Sequence, residues 1–167
     1  QTVREFANYV TKVVSELKDL VDYWITISEP VSTIVGGGYI SGLFSPGFFL
    51  DGDKVRAVLH NLIEAHIQAY DIISAIDDVD ADSDGAAKKV GFTHAMIAVH
   101  PAKPTKIFGL ALNDNREAAN NFSYFINDYF VNAVVNGEED INFLNTLERK
   151  NKDSKNFLVF DNWKNKT

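Results

Sequence analysis

Hydrophobic residues recur along the first half of the chain at spacings that predict a helix, a strand and a second helix. Residues 3–20 carry apolar side chains every three or four positions with charged residues between them, which indicates an amphipathic helix. Residues 23–27 are a short run of aromatic and β-branched residues, typical of a buried strand. The second helix is predicted to run to about Ile76, with Asp51 or Asp53 as its N-terminal cap.

The second half of the chain continues the alternation. Residues 90–99 are mostly small and apolar, as expected for a strand covered on both faces of a parallel sheet. A helix is predicted over residues 115–136, ending at Gly137, and a shorter one over residues 138–150. A long loop rich in glycine and proline, residues 28–52, separates the first strand from the second helix, and loops of this length are often functional.

Strands that alternate with helices of this length predict an α/β fold with parallel strands and flanking helices. Two strands alone do not make a stable sheet, so we expect the rest of the sheet to come from another copy or another polypeptide. The chain begins at Gln1, and Thr167 follows a stretch without a helix-ending signal. We therefore expect residues 1–167 to be a single fragment of a larger domain.

Composition narrows the classes of partner. The formal net charge is −7, and an acidic surface repels phosphate backbones and anionic lipid, so we expect neither nucleic acid nor a membrane as a partner. The chain has no cysteine, which excludes disulfides and thiolate metal sites. No long apolar run and no secretory segment is visible, so a cytoplasmic location is expected.

A carboxylate stands where the first strand ends. Residues 23–30 read Tyr-Trp-Ile-Thr-Ile-Ser-Glu-Pro, which places Glu29 at the carboxyl end of the strand, just before Pro30. This edge of a parallel α/β barrel is where active sites lie. Taken alone, a Glu before a Pro in a loop is more often a solvated surface residue than a catalytic one.

Three linked motifs, in order and spacing, make this chain resemble the family 1 glycoside hydrolases. The first is the segment that ends in Ser-Glu-Pro at residues 28–30. The second is Gly-Tyr at residues 38–39, with Gly42, Phe44 and a Pro-Gly pair behind it. The third is His-Asn-Leu at residues 60–62, followed by Ala-His at residues 65–66.

This resemblance implies a partial (β/α)8 TIM barrel, running from about the third helix to the fifth. It implies that Glu29 is the acid/base residue of a retaining β-glycosidase acting on β-glucosides or β-galactosides, with Ser28 and Phe44 as substrate-binding residues. The family usually has Asn at the position of Ser28, where it holds the sugar 2-hydroxyl. Phe44 falls where the family has a loop aromatic beside the leaving group, although packing of the loop explains it equally well.

The resemblance also implies what the fragment lacks. The family's nucleophile is a Glu on the seventh barrel strand, beyond this chain, so the isolated chain is expected to be inactive. The expected ligand is a small carbohydrate, a β-glycoside, with no cofactor and no metal. The expected protein partner is either a second copy, as a homo-oligomer, or the remainder of the barrel.

Two alternatives stay open at this point. Ser28 in place of Asn is compatible with a degenerate, non-catalytic sugar-binding or scaffold protein of the same fold. The segment that starts at Asp80, Asp-x-Asp-x-Asp-Gly, imitates an EF-hand loop and suggests a calcium-regulated domain. Its twelfth position is Gly91, however, where an EF-hand requires a bidentate Glu, and we favour a solvated acidic turn.

Overall fold

The computed structural model describes residues 1–103, 106–107, 110–111 and 115–145. Helices and strands alternate along the chain, as the hydrophobic pattern predicts. The regular elements before the acidic loop (residues 77–88) are helix α1 (Thr2–Leu17), strand β1 (Tyr23–Ser28), a wide π-helical segment (Pro30–Ile40) and helix α2 (Gly52–Ile76). Those after it are strand β2 (Lys89–Thr93), the short strands β3 (Lys106–Ile107) and β4 (Leu110–Ala111), helix α3 (Arg116–Ser123), a π-helical turn (Tyr124–Asp128) and helix α4 (Tyr129–Asn136).

Strands β1 and β2 pair in parallel and form one small sheet. The predicted parallel arrangement of the two strands is therefore confirmed. Their register contains one irregularity, since Ile25 pairs with Gly91 but Ser28 pairs with Thr93. Three steps along β1 thus match two along β2, and such an extra residue changes the direction of the side chains at the end of the strand.

The predicted length of the second strand was wrong. β2 ends at Thr93 instead of residue 99, and its residues are half-buried or exposed instead of covered on both faces. The physical reason is that the next backbone groups pair elsewhere: Ala95 N–H donates to the Glu29 carboxylate, and Ile97 N–H donates to the Asn127 side chain. The short antiparallel pair of β3 and β4 was not predicted.

The loop predicted over residues 28–52 also needs correction, because its first part is helical. The π-helical segment starts with Pro30, whose missing N–H costs nothing at a helix start. Glycines and β-branched residues are poor helix formers, so local propensity did not reveal it. The buried side chains of Val31 and Val35 hold the segment by packing against α2 and the Tyr124–Asn136 region.

Helix α2 connects the two cores of the chain. Asp51 caps it by accepting a hydrogen bond from Lys54 N–H at 3.2 Å, so the first of the two predicted caps is confirmed. One face of α2, through Ala69 and Ile73, packs against α1. Another face packs against the π-helical segment and the last helices, in a cluster that includes Leu59.

The last predicted helices are present in altered form. The helix expected over residues 115–136 is interrupted by the π-helical turn and ends at Gly137, whose φ of 74° is the left-handed cap expected there. Of the helix predicted over residues 138–150, residues 141–145 are helical, and residues 146–150 lie outside the described residues. Within the described part of the chain, no helix is long and apolar enough to cross a bilayer.

One face of β1 carries exposed apolar side chains. Tyr23 and Ile25 are 62% and 58% exposed, whereas Trp24 turns the other way and donates from Nε1 to the buried carboxylate of Asp77 at 2.7 Å. A strand in a completed α/β fold is covered on both faces. The sheet therefore presents a surface that the described residues do not cover.

A chain of hydrogen bonds through His66, Thr26 and Gly91 joins α2 to both strands. The Thr26 hydroxyl donates to Gly91 O at 3.1 Å and lies 2.7 Å from His66 Nδ1. Since a hydroxyl has one proton, His66 must donate through Nδ1, which defines its tautomer. Burial lowers the pKa of His66 below its ordinary value, so the folded state favours the neutral imidazole.

The lowered pKa of His66 predicts that the stability of the fold depends on pH. The unfolded chain takes up a proton on His66 near about pH 6.5 while the folded chain resists it, so the free energy of unfolding should fall as the pH drops through that value and level off below the folded pKa. His66→Asn keeps an N–H donor without titrating and should make the dependence shallower. Urea unfolding at about pH 7.5 and about pH 5.5 measures this.

The exposed His100 provides the matched control. His100→Asn should leave the pH dependence unchanged. An unaltered slope in His66→Asn would show that His66 is not the group responsible.

Candidate active site

The carboxyl ends of β1 and β2 form the candidate site. Parallel strands bring these ends to the same edge of the sheet, where Ser28 lies beside Thr93. The Glu29 backbone N–H donates to Thr93 O at 3.1 Å and to Thr93 Oγ1 at 3.2 Å. The first residue after β1 is therefore anchored to the last residue of β2.

Glu29 adopts a left-handed backbone conformation, with φ of 55° and ψ of 56°. Residues other than glycine rarely take this conformation, which costs of the order of 1–3 kcal/mol and persists where the surroundings enforce it. Here the anchoring to Thr93 on one side and the buried Pro30 on the other enforce it. The strained backbone turns the chain out of the strand and directs the Glu29 side chain over the strand ends.

Two donors from different parts of the chain hold the half-buried Glu29 carboxylate. Ser32 Oγ–H donates to Oε2 at 2.6 Å from the first turn of the π-helical segment, and Ala95 N–H donates to Oε2 at 2.7 Å from the segment after β2. Within the described residues, Oε1 receives no hydrogen bond. A proton on this carboxyl group would therefore be carried by Oε1, which leaves that oxygen available for proton transfer.

Ser28 is exposed at the same strand end. Its hydroxyl lies 3.0 Å from Thr93 Oγ1, and either group can be the donor. Because Thr93 Oγ1 also accepts from Glu29 N–H, the two hydroxyls and the Glu29 backbone form one polar group at the edge of the sheet. This arrangement can offer one further hydrogen bond to a ligand hydroxyl.

Phe44 belongs to a neighbouring segment. Its N–H donates to Gly37 O at 3.1 Å, and its ring lies so close to Gly37 that a Cβ on this glycine would be 2.1 Å from the ring. The ring is 56% exposed, so it is anchored at its base and open on its outer side. The structure thus gathers Ser28 and Glu29 at one strand end, and no hydrogen bond in the described residues joins Phe44 to Glu29.

Sequence reasoning missed the residues that hold the carboxylate. Ser32 was visible in principle, since it lies three residues after Glu29 at the start of a helix, where a side chain can reach the capping residue. Ala95 had no visible signal, because it contributes a backbone N–H that any residue except proline supplies. Thr93 likewise enters through its position opposite Ser28 in the register.

Two aspartates of the acidic loop form a separate cluster with Asp22, which precedes β1. Asp22, Asp80 and Asp82 each place a carboxylate oxygen within 4.8 Å of the others. Backbone donors occupy these groups: Asp22 accepts from Ala81 N–H and Asp82 N–H, and Asp80 from the turn that follows. Asp22, from the segment before β1, and Asp80 thus hold the backbone of the turn at residues 80–85. The solvated acidic turn favoured from the sequence stays a prediction.

Comparison with known proteins decides the family. The sequence model of the family described as "Glycosyl hydrolase family 1" matches residues 1–163 of this chain. The chain belongs to glycosyl hydrolase family 1. The resemblance inferred from the three sequence motifs is therefore confirmed.

Individual relatives of this family 1 chain are glycosidases. It is 33% identical to a β-galactosidase of Pyrococcus woesei over 86% of this chain and 27% of that protein. It is also 33% identical to a β-galactosidase of Saccharolobus solfataricus, over 83% of this chain and 24% of that protein. A 6-phospho-β-galactosidase of Staphylococcus aureus is 30% identical over 63% of this chain and 20% of that protein. The family 1 chain thus spans about a quarter of the length of its first two relatives.

Proposed function

We propose that residues 1–167 form one part of a (β/α)8 barrel, from about its third helix to its fifth, and that the complete barrel hydrolyses β-glycosidic bonds with retention. The observation that carries this proposal is the Glu29 carboxylate held at the carboxyl end of β1 by Ser32 and Ala95. Barrel enzymes carry their catalytic groups at this edge. Membership of family 1 and the names of the relatives, two β-galactosidases and a 6-phospho-β-galactosidase, support the reaction class.

In this proposal Glu29 is the general acid and then the general base. It protonates the leaving glycosidic oxygen as a second carboxylate attacks the anomeric carbon, and it later removes a proton from the water that releases the sugar. Oε1, which accepts no hydrogen bond from the described residues, is suited to carry this proton, because Oε2 already accepts two hydrogen bonds. The second carboxylate must stand about 5–5.5 Å away and comes from the remainder of the barrel.

Ser28 and Phe44 complete the proposed site. The Ser28 hydroxyl, placed beside Thr93, is assigned to the sugar 2-hydroxyl. The half-exposed ring of Phe44 is assigned to the leaving group, because aromatic faces pack well against sugars and aryl groups. The proposed substrate is a small β-glycoside.

A non-catalytic sugar-binding or scaffold protein of the same fold is the second candidate. The observation that favours it is Ser28, which is shorter than the Asn usual in the family and already shares its hydroxyl with Thr93. Both candidates use the same residues at the strand end and differ in turnover. The activity of the complete barrel therefore separates them.

We expect the isolated chain to show no hydrolysis of aryl β-glycosides, since neither β1 nor β2 carries a second carboxylate that could act as the nucleophile. A complete barrel can be built by replacing the corresponding segment of a family 1 β-galactosidase with residues 1–167 of this chain. In it, Glu29→Gln should slow substrates with poor leaving groups by roughly 10²–10⁴-fold, the usual contribution of a general acid. Substrates with acidic phenols need little proton donation, so their first step should be slowed least.

The exposed Glu138 supplies the control, because Glu138→Gln makes the same chemical change away from the site. It should leave both substrate classes unaffected. If Glu29→Gln slows good and poor leaving groups alike, Glu29 is not the general acid.

Ser28→Asn should raise kcat/KM of the complete barrel by roughly 3- to 10-fold, the value of about one hydrogen bond that strengthens in the transition state. The gain should disappear on 2-deoxyglycosides, which lack the hydroxyl in question. An equal gain on both substrates would refute the assignment to the 2-hydroxyl. A wild-type barrel inert on every β-glycoside would support the scaffold reading.

The exposed apolar face of β1 predicts that the isolated chain associates with a second copy or with the rest of the barrel. Ile25→Glu places a charge on this face and should shift sedimentation towards the monomer. Leu20→Glu, at a position 75% exposed and outside the sheet, should not. A folded wild-type chain that sediments as a monomer at all concentrations would contradict the prediction.

A further inference from the structure

Asn127 lies in the π-helical turn between α3 and α4, and both the oxygen and the nitrogen of its side-chain amide are hydrogen-bonded. It is 8% exposed. Its Oδ1 accepts from Ile97 N–H at 2.8 Å, and its Nδ2 donates to Ile97 O at 2.9 Å and to Ser123 Oγ at 3.2 Å. The Asn127 amide therefore satisfies both backbone groups of Ile97, as a neighbouring strand would.

His94 ties the same segment to the same turn. Its Nε2–H donates to the backbone oxygen of Asn127 at 3.0 Å, and its ring packs edge-on against Phe92 with centroids 6.1 Å apart. Residues 94 and 97 are thus both fixed to Asn127, one through its backbone and the other through its side chain. Residues 94–97 follow the end of β2, and hydrogen bonds to Asn127 hold the segment at its first and last residue.

Between these two fixed points lies Ala95, whose N–H donates to Glu29 Oε2 at 2.7 Å. Ala95 itself makes no hydrogen bond to Asn127 in the described residues. The position of its N–H depends on the segment around it, because residues 94–97 make no strand pairing of their own. A change at Asn127 would reach the Glu29 carboxylate through this segment.

We propose that Asn127 is a positioning residue for Glu29, and that the π-helical turn serves to present it. This inference rests on the proposed function of Glu29. A π-helical turn inserts one residue into an α-helix, and such turns occur frequently at functional sites. Here the turn brings one residue's side-chain amide and main-chain oxygen to the segment that carries the Ala95 donor.

The alternative is that Asn127 only stabilises the fold. A buried asparagine with three side-chain hydrogen bonds contributes to stability in any case. Positioning makes two further claims: loss of the amide must loosen the Ala95 N–H, and its effect on catalysis must run through the Glu29 proton. Each claim has its own measurement.

The first measurement is hydrogen exchange of individual amides in the 167-residue chain. Asn127→Ala should accelerate exchange of Ile97 N–H, its direct partner, and also of Ala95 N–H, by roughly tenfold or more, about the loss of one hydrogen bond. The amide of Leu59 in the core should keep its rate. The exposed Asn120, on α3, supplies the control variant Asn120→Ala, which should change neither loop amide.

Asn127→Asp keeps the acceptor for Ile97 N–H and removes the Nδ2 donors. It provides the same test of the Ala95 amide if Asn127→Ala does not fold. It too should accelerate exchange at Ala95. Faster exchange at Ile97 alone, with Ala95 unchanged, would overturn the inference in either variant.

The second measurement is a double-mutant cycle in the complete barrel. Asn127→Ala should slow poor leaving groups by at least about tenfold more than good ones, and this selective loss should vanish when Glu29→Gln has already removed the acid. If Asn127→Ala slows both substrate classes equally in both backgrounds, its role is structural and the inference fails. If Glu29→Gln itself shows no leaving-group selectivity, the proposed function fails, and exchange at Ala95 still decides whether Asn127 positions the carboxylate.

Discussion

The parallel pairing of β1 with β2 brings the polar groups of the site together. Parallel strands end at the same edge, so the residues that follow them meet although more than sixty positions separate them in the chain. At that edge Thr93 holds the backbone of Glu29 in its left-handed conformation, and Ala95 donates to the carboxylate. Without the pairing, Glu29 would be an acidic residue before a proline in an exposed loop.

The sheet formed by this pairing is incomplete in a way that agrees with the proposed chemistry. Tyr23 and Ile25 expose an apolar strand face, and the Glu29 carboxylate lies at its end without a second carboxylate on β1 or β2. Further parallel strands would cover the first and can supply the second. In the proposed function, the remaining strands of a family 1 barrel would both cover this strand face and contribute the second carboxylate.

Backbone groups carry much of the site's geometry. Ala95 contributes only its N–H, Ile97 contributes its N–H and oxygen, and Asn127 contributes its main-chain oxygen to His94. Such groups are the same in every residue, so no composition or motif marks them. Their positions follow from where β2 ends and where the last helix widens.

From the sequence alone, the alternation of helices and strands, the parallel α/β class, the Asp51 cap, the Gly137 stop and the family could be predicted. Hydrophobic spacing, capping chemistry and the three motifs are local properties of the chain. Only the tertiary structure decided that β2 stops at Thr93, that residues 30–40 are helical and that a π-helical turn interrupts the last helix. In each case groups distant in sequence, such as Glu29 with Ala95 and Asn127 with Ile97, outcompeted local propensity for hydrogen bonds and burial, and those partners are chosen by packing.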